Sequence, residues 1–98
     1  MFRQIIVGRW APDVTAERKQ AFRNAIEGLR DIPELLAFQS GDDAGHFDGN
    51  FDFAMVMDFA DFDSARVYVA HPVHQAYVRD HGSRVFGERV VVQHEWSA

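Results

Sequence analysis

Phe51-Asp52-Phe53-Ala54-Met55-Val56-Met57-Asp58-Phe59 alternates with a period of two, and no other stretch restricts the fold as tightly. In an extended chain successive side chains point to opposite faces. Phe51, Phe53, Met55, Met57 and Phe59 therefore share one side, and Asp52, Ala54, Val56 and Asp58 the other. A face this apolar must be covered, so Phe51, Phe53 and Met55 are expected under helices or inside a barrel. Its methionines suit irregular packing, as core first and as the wall of a pliable pocket second. The closing segment, Glu88 to Trp96, alternates Val90, Val92, His94 and Trp96 against Val91, Gln93 and Glu95, and so offers apolar groups to both faces. A sheet apolar on both sides needs two covers. Its own helices provide one, and the other has to come from outside the fold.

The other elements follow from period and punctuation. Phe2 to Trp10, with Ile5, Ile6 and Val7, ends at Pro12-Asp13 and reads as a strand. Phe22, Ala25, Ile26 and Leu29 recur at three and four, giving a helix whose stripe faces the core. Asp13 or Thr15 caps it, Glu17 lies in its first turn, and it stops before Ile32-Pro33. Gly28 inside it marks either close approach to the sheet or a fraying end. Leu35 to Gln39 reads as a short strand stopped by Ser40-Gly41, and residues 42 to 50, with Gly45 and Gly49, as a hairpin-like loop. Asp58, Asp61 and Asp63 stand where the third strand gives way to a second helical segment and offer its cap. The order is β-α-β-β-α-β: an α+β, ferredoxin-like sandwich with an antiparallel sheet, one domain over residues 1–98.

At 98 residues such a domain buries only about 60% of its unfolded surface. No cysteine is present to staple it, while nine Phe and two Trp supply apolar surface, so a homodimer is expected, built through the sheet faces. Ten basic against fifteen acidic residues, net −5, leave no cationic patch for phosphates, which makes nucleic acid and anionic membrane poor partners. No run reaches the ~18 apolar residues of a membrane span, and the N-terminal apolar run is too short for a signal segment. A cytoplasmic protein is the expectation.

Chemistry concentrates at His71-Pro72. Proline lacks an N–H and drives the residue before it out of the helical region, so one helix ends near Ala70 and another starts at Pro72. Tyr68 then lies in the last turn of the first helix and His74 in the first turn of the second. An imidazole titrates near neutrality, and Tyr68 or Tyr77 offers it a partner, which makes this bend the candidate site. His71, His74 and His81 would share a face of one continuous helix. The proline interrupts that continuity and the spacing matches no zinc motif, so no metal site is read here, and His81 before Gly82 reads as a residue at a helix end. There is no Gly-rich phosphate loop, no Gly-x-Ser-x-Gly elbow and no cysteine nucleophile, so nucleotide use and acyl-enzyme chemistry have no support.

Tyr68-x-x-His71-Pro72-x-His74, following Val56-Met57-Asp58-Phe59 and preceding Arg89-Val90-Val91-Val92-Gln93, resembles the Dabb family, the stress-responsive α/β-barrel domain. The resemblance runs over nearly the whole chain, including the opening strand and the Ile32-Pro33 turn. It implies a ferredoxin-like protomer that dimerises sheet to sheet into an α/β barrel. In the family's polyketide-cyclase branch, of the olivetolic acid cyclase kind, an intramolecular aldol condensation proceeds without a cofactor. The second histidine of the motif is the base there, and the tyrosine orients the substrate. Those positions correspond to His74 and Tyr68, with Gln4, Phe22, His71 and Tyr77 as the substrate-binding residues expected around them. Gln4 is a departure, standing where that branch has a histidine near the start of its first strand.

Two classes of function stay open. As an enzyme, the protein is a cofactor-independent cyclase or lyase acting on a polyketide-like carbonyl compound, or a cofactor-free monooxygenase of the related dimeric α/β-barrel families. As a binding protein, it holds an apolar or aromatic small molecule, or serves as a stress-associated interaction module, with His74 structural.

Overall fold

The computed structural model describes residues 1–97. Strand β1 (Phe2–Trp10) leads to helix α1 (Ala16–Glu27), which closes in a 3-10 turn (Gly28–Asp31). Strands β2 (Ala37–Asp42) and β3 (Phe53–Phe59) follow, then helix α2 (Phe62–Ala70) and helix α3 (Pro72–Tyr77). A π-helical turn (Val78–Gly82) and a last α turn (Ser83–Val85) carry the chain to β4 (Phe86–Glu95). The sheet is antiparallel throughout, in the order β2-β3-β1-β4. This is the ferredoxin-like α+β arrangement expected from the element order. No helix among the described residues is long and apolar enough to cross a membrane.

Alternation sorts the sheet into two faces. Ile6 lies opposite Met55 and Gln4 opposite Met57, so the even positions of β1 share a side with the bulky row of β3. Phe53, Met55, Met57 and Phe59 are all buried there, beneath Phe22, Ile26 and Leu29 of α1 and its closing turn, and Tyr68 of α2. Around Phe22 the core is aromatic, with Trp10, Phe53 and Phe86 each in edge contact with it. Phe86 lies directly over Gly8: a Cβ there would come within 2.3 Å of the ring, so only glycine lets this side chain close the sheet.

None of the helices among the described residues covers the opposite face. Ile5 pairs with Val56 and Val92, and Val7 with Ala54 and Val90, forming one apolar patch across three strands. Val90 and Val92 are 51% and 57% exposed, far beyond what side chains in a finished core show. Ion pairs mark two ends of the patch. Arg3 donates two hydrogen bonds to Asp58 (2.8 and 2.9 Å) with Trp96 stacked on its guanidinium, and Arg9 holds Glu88.

Several boundaries differ from the sequence reading. Phe51 precedes β3 because β1 pairing ends at Gly8 opposite Phe53; its ring is half-buried under the Arg9 guanidinium. β2 starts at Ala37 and runs through Ser40-Gly41, since Gly41 and Asp42 still pair with Ala54 and Phe53. Thr15, and not Asp13, caps α1 by accepting from the Arg18 N–H. Gly28 is the fraying end and not a close approach, because nothing lies within 4 Å of where its Cβ would be. Among the three acids, Asp61 caps α2, while Asp58 is a buried strand residue held by Arg3. His81-Gly82 does not end a helix. The π turn absorbs one extra residue and the helical path continues to Val85.

Candidate functional site

On the helix side of the sheet, α2 and α3 leave the edge strand β4 partly uncovered, and a cleft of about 540 Å³ lies between them. Met57 and Gln4 form part of its floor, Tyr68, His74 and Tyr77 one wall, and Arg89, Val91 and Gln93 the other.

The break at Pro72 arranges His74. In an unbroken helix the Val69 carbonyl accepts from the N–H of residue 73. Here Val73 N–H donates instead to Nδ1 of His71, which caps α3 at 3.1 Å. That leaves the Val69 carbonyl for His74, whose Nδ1 meets it at 3.0 Å. A carbonyl only accepts, so this nitrogen carries the proton and Nε2 keeps its lone pair. Nε2 has no hydrogen-bond partner among the described residues. Burial pushes the imidazole below its usual range, the Arg89 charge acts in the same direction, and the Val69 hydrogen bond opposes them. The result is a half-buried, neutral histidine with one ring nitrogen fixed and the other available.

The Tyr68 ring centroid is 4.6 Å from that of His74, and the Tyr77 centroid is 6.0 Å from it. Burial raises both phenols, Tyr77 to about 12, so both are neutral hydrogen-bond donors at pH 7. The Tyr68 hydroxyl donates to Met57 Sδ at 3.6 Å, a weak acceptor that a ligand oxygen readily replaces. Gln4 sits beside them. Its Oε1 accepts from Gln93 at 2.6 Å and its Nε2 faces Met57 Sδ at 3.8 Å.

Gln4, Tyr68, His74 and Tyr77 thus converge as the sequence suggested, and two expected substrate contacts do not. Phe22 is fully buried behind the wall, packed against Tyr77, because its stripe on α1 points into the core. His71 spends its Nδ1 on the cap and lies outside the cleft lining. No group of three His, Cys, Asp or Glu residues able to hold a metal ion occurs among the described residues. Arg89 and Gln93 were missed. The alternation of β4 placed them together with Val91, but only the register, Gln4 opposite Gln93, shows that theirs is the helix-covered side.

The sequence profile of the Stress responsive A/B Barrel Domain family, Dabb, matches residues 2–95. A dimeric ferredoxin-like protein of unknown function from Thermobifida fusca YX is 34% identical, with TM-score 0.87 over 97% of this chain and 90% of its own. A Dabb family protein with a ferredoxin-like fold from Mesorhizobium loti MAFF303099 is 21% identical, with TM-score 0.80 over 99% and 97%. The hydroxynitrile lyase of Passiflora edulis is 16% identical, with TM-score 0.83 over 95% and 90%, a likeness of fold. No curated protein matches the chain in sequence.

Proposed function

Because the chain belongs to the Dabb family of stress responsive A/B barrel domains, we propose that its cleft is the active site of a cofactor-independent cyclase or lyase for a polyketide-like carbonyl compound. The observation that carries this reading is the 3.0 Å contact between His74 Nδ1 and the Val69 carbonyl, which leaves Nε2 of this cleft-lining histidine unprotonated and free to act as a base. In the proposed step Nε2 takes a proton from the carbon beside a carbonyl, and the C–H electron pair becomes that of an enolate. The enolate carbon attacks a second carbonyl of the same molecule, and the imidazolium returns its proton to the alkoxide formed. Tyr68, released from Met57 Sδ, donates to the oxygen on which charge develops. A positioned base of this kind contributes ~10²- to 10⁴-fold. A protein of the same fold named as a hydroxynitrile lyase supports an enzymatic reading.

The same proposal includes a homodimer. A second copy laid on the open sheet face would bury the Ile5, Val7, Val56, Val90 and Val92 patch and close the barrel, and the Thermobifida relative is described as dimeric.

The test is exchange of the protons between the carbonyls of a 3,5-dioxo ester in deuterated water, followed by NMR. Catalysed exchange is expected for the native protein and at least ~10²-fold less for a folded His74→Gln variant. Equal exchange by the variant refutes the base and leaves ligand binding as the role of the cleft.

A further inference from the structure

Most of the basic side chains of this acidic protein are already engaged. Six of its ten Lys and Arg residues hold a carboxylate of the chain. Arg84 donates to the carbonyl of Arg79, and Lys19 lies 5.3 Å from the centre of the Trp10 ring. Arg18 and Arg89 also make no ion pair with the described residues, and of the four unpaired cations Arg89 is the one that lines the cleft containing His74. Its cross-strand neighbour on β1 is Gly8, which places no side chain beside it.

The groups around it accentuate the charge. Tyr68, Tyr77 and the Gln93 amide are neutral, and the imidazole of His74 is held neutral. Glu88, at the rim, is hydrogen-bonded to Arg9 at 3.1 Å. The cleft therefore carries one uncompensated positive charge in a protein of net charge −5. A guanidinium presents paired N–H groups that match a carboxylate in two parallel hydrogen bonds. We infer that Arg89 is a specificity-determining residue that anchors a carboxylate of the ligand, so the cleft takes a carbonyl compound that also bears a free carboxylate. The inference rests on the proposed cleft as the ligand site, and names the substrate class that site selects.

Charge recognition is separable from catalysis, and matched probes separate them. Binding of 4-acetylbenzoate and of its uncharged counterpart 4-acetylbenzamide is measured by calorimetry and by NMR of the His74 imidazole. The native protein is expected to prefer the acid by about tenfold, the scale of one charge-assisted pair in a partly wet site. Arg89→Gln should erase that preference by weakening the acid about tenfold more than the amide, and Arg89→Lys should keep part of it. His74→Gln should retain the preference even where it abolishes proton exchange, so failure of the base leaves this result standing. Equal affinity of the native protein for acid and amide, binding of neither probe, or a preference that survives in Arg89→Gln would each overturn the inference.

Discussion

Two glycines in right-handed helical conformation provide a test of the packing around the cleft, because the same substitution at each should change stability in opposite directions. Gly28 has φ −65° and ψ −21°, and Gly82 has φ −60° and ψ −35°, both open to alanine without backbone strain. Alanine is favoured over glycine in a helix by about 1 kcal/mol. At Gly28 the new Cβ meets nothing within 4 Å, so Gly28→Ala should stabilise the protein by about 0.5 to 1 kcal/mol. At Gly82 it would stand 2.9 Å from Cζ, 3.0 Å from Oη and 3.1 Å from Cε2 of Tyr77. Carbon atoms pack at roughly 3.5 Å, so the phenol must retreat by about half an ångström. Phe22 and His74 flank the ring with centroids 6.1 and 6.0 Å away, so the retreat disturbs both contacts. Overpacking of this kind costs about 1 to 3 kcal/mol. Set against the helix preference, Gly82→Ala should destabilise by roughly 1 kcal/mol, or about 4 to 8 °C in Tm for a domain of this size. Thermal unfolding of both variants at one fixed protein concentration reads the two signs. In a Tyr68→Phe background, ultraviolet titration should also show the Tyr77 phenol, pushed up to about 12 by burial, moving downward as the ring is displaced. If Gly82→Ala stabilises the protein as Gly28→Ala does, the reasoning about the wall is wrong.

Other outcomes follow from single contacts. His71→Ala removes the cap of α3 and should cost about 1 kcal/mol in denaturant unfolding, while proton exchange by His74 persists if the backbone break is maintained by Pro72. Tyr68→Phe deletes a hydroxyl bonded only to sulfur, so stability should change by less than about 1 kcal/mol while turnover falls; unchanged turnover would remove Tyr68 from the mechanism. The depressed pKa of His74 means that the unfolded chain binds its proton first as pH falls. The stability associated with this group is fully present above the unfolded value near 6.5 and declines as pH drops through the folded one, so His74→Gln should flatten that part of the stability profile. Val56→Lys puts a charge at the centre of the open face and should give a monomer in sedimentation; an intact dimer would place the interface elsewhere.

Alternation made the sheet legible, because the row Phe53, Met55, Met57 and Phe59 can be buried together only in a strand. The bend was legible for an equally local reason: proline has no N–H to donate, wherever it stands. What the sequence left open depended on contacts between distant residues. Phe22 had the right character for a pocket wall, but the way α1 sits on the sheet decides that it faces the core. Ser40-Gly41 looked like a stop, yet pairing with β3 carries the strand past it. Gly82 looked like a helix end, and the π turn with Tyr77 packed over it keeps the helical path going. Arg89 alternated with Val90 in plain view, but its side of the strand became meaningful only once α2 and α3 were seen to cover that face.

Pro72 links the legible and the hidden parts of the site. By interrupting the helix it leaves the Val69 carbonyl and the Val73 N–H without each other as partners. Two histidines take their places in complementary senses. His71 accepts through Nδ1, and His74 presents Nδ1 as a donor. Opposite tautomers therefore arise within four residues from one covalent constraint, and of the two histidines only His74 both lines the cleft and keeps a ring nitrogen lone pair that no hydrogen bond among the described residues occupies. A lysine or arginine at position 74 could satisfy the same carbonyl but would remain charged at pH 7 and could not act as a base. The helix break needs a donor at position 74; the proposed chemistry needs that donor to have a second, basic nitrogen, and imidazole meets both requirements.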